Sequence, residues 1–164
     1  MEQAQALPQL VFEYPDDYLY QPTYKWPKGV RFDTFWLVFP TFGPMTAALA
    51  QAQVANVPND ADFECRRLSF HVDAAAAQLT VATAILPNMT IMINDSGSGR
   101  NLMNAAAPLA SIAESEAFAA QDLVWPRIFT RNSQIQITLT NFDAAAATNN
   151  IRLVMHGRKI FSPS

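Results

Sequence analysis

The chain is predicted to be all-β: an antiparallel β-sandwich or jelly roll with an extended N-terminal arm and at most one or two short helices. Three observations predict it. Residues 134–140 and 151–156 alternate apolar and polar side chains, with Ile135, Ile137 and Leu139, then Ile151, Leu153 and Met155, on the inward face. That period of two is the mark of a half-buried strand. Turn signals separate short apolar runs at intervals of about eight to twelve residues, as in sandwiches and jelly rolls. At 164 residues the chain suffices for one well-buried domain and is too short for two ordinary ones.

Residues 1–29 differ from the remainder, and 30–164 are assigned to the sandwich. Pro8, Pro15, Pro22 and Pro27 punctuate the first segment, and between them lie Phe12, Tyr14, Tyr18, Tyr20, Tyr24 and Trp26. Proline at this density excludes a helix and a central strand. A flexible linker would be rich in Gly and Ser and would lack such anchors. These six aromatics are the candidate docking residues of an arm that lies in grooves, either on its own sandwich or on a neighbouring subunit.

Residues 31–39 (RFDTFWLVF) form the first strand, which Pro40, Gly43 and Pro44 end. Its run from Phe35 to Phe39 has no polar break, which implies burial on both faces or a subunit contact. Residues 45–55 (MTAALAQAQVA) favour a short helix by their Ala and Gln content, with an extended segment as the alternative. A turn follows at 56–60. Residues 62–72 (DFECRRLSFHV) read as a strand whose alternation is imperfect. Residues 79–86 and 89–94 are two further strands, and DSGSG at 95–99 is a loop, since glycine supplies positive φ. The Ala-rich stretch 101–122 is expected to hold a helix near 110–120, opened by Ser111 with Glu114 three residues on, a capping-box spacing. Strands at 128–130, 134–140 and 151–156 complete the series.

Charge is scarce: 15% of residues, against roughly 25% in average soluble proteins. Either the core is large for the chain or partners cover part of the surface. A net charge of −3 argues against a general nucleic-acid binder, which needs a basic stripe to replace counterions. No apolar run reaches the roughly eighteen residues of a membrane span, and MEQAQALPQL does not read as a secretory signal. No nucleic acid, membrane or cofactor is therefore expected. The single Cys65 fits a reducing compartment and an inward, inert position.

The candidate chemistry is thin. His71 and His156 lack a third ligand at useful spacing for zinc. Ser96-Gly97-Ser98-Gly99-Arg100 lacks the Lys-Ser or Lys-Thr pair of a phosphate cradle. Asp60, Asp62 and Glu64 lack the glycine and terminal glutamate of an EF-hand loop. Basic residues toward the C-terminus (Arg127, Arg131, Arg152, Arg158, Lys159) contrast with an acidic middle (Asp60, Asp62, Glu64, Glu114, Glu116, Asp122). That asymmetry is read either as a device that aligns subunits or as a solvated mixed surface.

A set of ordered segments carries a family resemblance. They are DADF at 60–63, IMINDS at 91–96 followed by RNL at 100–102, FTRNSQIQITLTN at 129–141 and IRLVMHGRK at 151–159. In this order the chain resembles the small β-sandwich virion structural proteins of tailed bacteriophages, the capsid decoration and minor capsid group. Arg131 stands where that group commonly has proline, and Met155-His156-Gly157 replaces a leucine-containing closure. The resemblance implies a non-enzymatic sandwich of the virion, assembled in the host bacterial cytoplasm. Its implied partners are the major capsid protein or other virion subunits. Closed symmetry on an icosahedral shell suggests a homo-oligomer, a trimer at threefold positions. An arm of about thirty residues could extend roughly 90 Å to a neighbour. A second function class stays open: a carbohydrate- or receptor-binding module on a tail or fibre, using Tyr18, Tyr20, Tyr24, Trp26 or Trp125.

Overall fold

The computed structural model describes residues 9–11, 23–25, 28–45, 48–72, 88–114, 126–142 and 150–162. The expected strand at 79–86 lies outside these residues. The described elements are β1 (Gln9–Val11), β2 (Thr23–Lys25), β3 (Arg31–Val38), β4 (Ala50–Asn56), β5 (Asp62–Val72), β6 (Met89–Asp95), β7 (Arg100–Asn101), β8 (Ala107–Pro108), α1 (Leu109–Ile112), β9 (Arg127–Phe129), β10 (Gln134–Asn141) and β11 (Ile151–Phe161). The fold is all-β and antiparallel, as expected, with two sheets forming a sandwich. Among the described residues no helix is long and apolar enough to cross a membrane.

The first sheet runs β4-β10-β6, and β7 and β8 share the far edge of β6. The second runs β3-β11-β5-β9. β1 and β2 pair only with each other, Leu10 opposite Tyr24, so the described part of the arm is a small ladder of its own.

The alternation legible at β10 and β11 is realised. Ile135, Ile137 and Leu139 from the first sheet and Ile151, Leu153 and Met155 from the second belong to one buried core. Ile91 and Ile93 of β6 and Leu68, Phe70 and Val72 of β5 complete its centre. The chain crosses between sheets after β3. Phe42 exchanges two backbone hydrogen bonds with Ile151, both 2.9 Å, in the second sheet. Asn141 of the first sheet then receives the Ala48 N–H at 2.8 Å and donates to the Leu49 carbonyl at 3.0 Å.

Two local readings are decided by tertiary contacts. Of the two alternatives for the Ala/Gln segment the extended one is realised in strand β4, because β10 offers it a seven-pair ladder from Gln134–Asn56 to Thr140–Ala50. Propensity yields to the ladder. In the Ala-rich stretch the described helix is the turn Leu109–Ile112, which starts earlier than Ser111; Pro108 is its N-cap and no side chain caps it, and residues 115–120 of the expected helix lie outside the described residues. The Ser111 hydroxyl donates back to the Pro108 carbonyl at 2.7 Å. Glu114 instead joins β5, receiving the Phe70 N–H and donating to the Leu68 carbonyl.

The imperfect alternation of β5 has a physical cause. Its register against β11 slips between His156 and Gly157, so that Arg67 faces His156 and Cys65 faces Gly157. Arg66 is the extra residue of a β-bulge. Inward facing therefore changes from Phe63 and Cys65 to Leu68, Phe70 and Val72. Glycine is required at 157, since a Cβ there would strike the Glu64 carbonyl.

Candidate functional site

The segments behind the family resemblance meet in the fold, and there they build framework. Lys159 Nζ holds both carboxylate oxygens of Asp60, at 2.9 and 2.7 Å. The Asp62 carboxylate accepts the Arg131 backbone N–H at 2.9 Å. Glu64 is fully buried: Arg66 donates to one oxygen at 2.7 Å, and Arg158 donates to the other at 3.1 and 2.9 Å. The Arg158 guanidinium also lies 4.0 Å over the Phe32 ring. Lys159 holds the Asp60 carboxyl below the usual carboxylate range, chiefly through their hydrogen bond. The contrast between acidic middle and basic C-terminus is thus largely an intramolecular matching of charges. Glu116 and Asp122 lie outside the described residues.

The loop at 95–99 is a turn built on Asp95. Its Oδ1 accepts the Gly97 and Ser98 N–H groups, and its Oδ2 accepts the Ser98 hydroxyl at 2.7 Å. Gly97 passes against Ser133 where a Cβ would not fit, and Gly99 has φ +64°. Cys65 is buried, and burial pushes its thiol up to about 12. Among the described residues no group of three His, Cys, Asp or Glu side chains is placed to hold a metal. Of the six aromatic arm candidates, Phe12, Tyr14, Tyr18, Tyr20 and Trp26 lie outside the described residues, as does Trp125. Only the backbone of Tyr24 is described, in β2.

The outward face of the second sheet is the candidate site. Register places Trp36, His156 and Arg67 in one row across β3, β11 and β5. Val38, Val154 and Ser69 form the next, and Arg152 and His71 a third. Leu37, Leu68 and Met155 of the same strands point inward and are buried. On the outward side Trp36 is 57% exposed and Val38 61%. The apolar run of β3 therefore alternates and is not buried on both faces. β3 is also the terminal strand of its sheet among the described strands.

Ser69 Oγ and His156 Nε2 lie 2.6 Å apart on this face. Burial, aided by Arg67 and opposed by Glu114, lowers the His156 pKa, so the imidazole is neutral near pH 7. A serine within reach of a histidine is the start of a nucleophilic site, which also needs an orienting group and an oxyanion hole. Here the Glu114 carboxylate approaches Arg67 at 3.8 Å. The Phe70 N–H next to Ser69 is engaged by Glu114. The hydrogen bond knits β5 to β11 and fixes the polar part of the face.

The sequence reading missed Trp36 and Val38 as exposed residues. The available signal was the alternation with Leu37 and Phe39, hidden because every member of the run is apolar. Comparison with family models, with curated proteins and with solved structures found no match to this chain.

Proposed function

We propose that this chain is a non-enzymatic structural protein of a tailed-bacteriophage virion, a capsid decoration or minor capsid protein that stabilises the shell by bridging capsid subunits. The observation that carries the reading is the exposure of Trp36 and Val38 on β3, which is the terminal strand of its sheet among the described residues. Long unpaired edges with apolar side chains invite pairing with another chain. A strand of the major capsid protein or of a second copy adds to β3 through backbone hydrogen bonds, and Trp36 and Val38 select the register. Covering such side chains contributes roughly 1.5–3 kcal/mol each. The resemblance of the ordered segments to virion proteins supplies the prior for a capsid partner, and closed symmetry favours a trimer at threefold positions.

The test is cosedimentation of purified protein with expanded capsids. The double variant Trp36→Lys, Val38→Lys should fold normally and fail to bind. Binding of that variant equal to the wild type removes the edge from the reading. Recovery of the native protein with tails after gentle dissociation of virions removes the capsid assignment.

A further inference from the structure

Between the two sheets, on the side away from β3, lies a cavity of about 350 Å³. That is within the range of small-molecule sites, about 300–1,000 Å³. Its walls are Leu68, Ile93, Leu102, Met103, Phe129 and Met155. Its polar lining includes Arg100 and Asn101 of β7 and Arg127 of β9. Arg100 is exposed and marks the mouth.

The two guanidinium groups have unused capacity. Arg127 approaches Asp95 of the opposite sheet at 3.7 Å, an ion pair too long for a hydrogen bond. Both Asp95 oxygens already accept hydrogen bonds from the 97–98 turn. Arg127 Nε is buried and has no hydrogen-bond partner, which is costly, while the side chain as a whole is 38% exposed. Arg100 forms no ion pair among the described residues. Two positive groups thus face one carboxylate, whose oxygens already accept three hydrogen bonds from the 97–98 turn, at the entrance of an apolar chamber.

We propose that this cavity binds a medium-chain monocarboxylate, with its alkyl chain between the sheets and its carboxylate on Arg100 and Arg127. A free inorganic anion leaves the apolar walls unused. A neutral hydrocarbon leaves both guanidinium groups unmatched. Arginine's planar fork of donors suits a carboxylate. The inference is independent of the capsid reading, which concerns the opposite edge of the sheet.

Calorimetric titration of the full chain with sodium decanoate, and with decanol as the uncharged equivalent, tests it. Decanoate should bind saturably and about tenfold more tightly than decanol, the worth of a charge-assisted hydrogen bond. Arg100→Gln should weaken decanoate by about tenfold and leave decanol unchanged, with an unaltered melting curve because the residue is exposed and forms no ion pair. Met103→Trp, which fills the chamber, should abolish both. Absence of saturable decanoate binding to the wild type overturns the proposal, as does equal affinity for the two probes or an Arg100→Gln effect shared by both.

Discussion

The two edges of the second sheet are built in opposite ways. β3 pairs with β11 along all eight of its residues and turns Trp36 and Val38 outward. β9 has three residues and covers only Phe63 to Cys65 of β5. Past the bulge, the described edge of β5 resumes with a single bridge between Ser69 and Glu114. A long regular edge offers a continuous row of backbone donors and acceptors, which suits strand addition. Among the described residues the short edge is interrupted, and the cavity is lined there by Cys65, Leu68, Arg127 and Phe129. The bulge that shifts β5 against β11 lies next to the end of the short β9 edge, whereas β3 pairs with β11 without a register shift.

The largest expected effect comes from disrupting what both edges share. Gly157→Ala drives a Cβ into the Glu64 carbonyl at the bulge. It should cost about 3 kcal/mol in urea unfolding, the upper end for overpacking against backbone. An unchanged midpoint would mean the bulge is dispensable and the comparison misplaced. Next, Glu64→Gln removes the buried charge that Arg66 and Arg158 share. A loss of about 2 kcal/mol is expected, less than for a fully buried pair because both arginines reach solvent. Stability within error of the wild type would show that the arginines re-solvate freely.

Smaller still is the double lysine change at Trp36 and Val38. Its expected stability change is within about 0.5 kcal/mol, as for exposed sites. A large destabilisation would show that these side chains serve the protomer and not a partner. On the other edge, native Cys65 should not react with a thiol reagent at about pH 8, since a buried thiol with a pKa of about 12 holds almost no thiolate. Rapid labelling of the native state would mean that the cavity side opens widely.

The smallest effect is the titration of His156. Its folded-state pKa lies below the ordinary 6.5, so between the two values the unfolded chain binds more protons. The contribution is therefore fully present above about pH 6.5 and is lost as pH falls through the lowered value. His156→Gln should flatten the stability profile in that acid window. A profile identical to the wild type would show that burial beside Arg67 does not hold the imidazole neutral.

Much of the frame was readable because it depends on local alternation. Ile135, Ile137 and Leu139, and Ile151, Leu153 and Met155, declared their faces by period alone. The uneven facing of DFECRR was visible in the sequence, though its meaning as a bulge needed Gly157 of the neighbouring strand. Residues 45–55 and the Ser111 spacing were not decided locally, because a ladder with β10 and a turn starting at Pro108 outweighed weak local preferences.

The sequence by itself determined an all-β chain, the inward faces of its regular strands and an inert cysteine. Those properties follow from side-chain period and composition, which act within a few residues. Only the tertiary structure decided that Asp60, Glu64, Arg158 and Lys159 neutralise one another, that β3 ends a sheet with Trp36 exposed, and that Arg100 and Arg127 share one chamber. Each of these depends on which distant segment lies alongside, and a strand carries no local mark of being an edge.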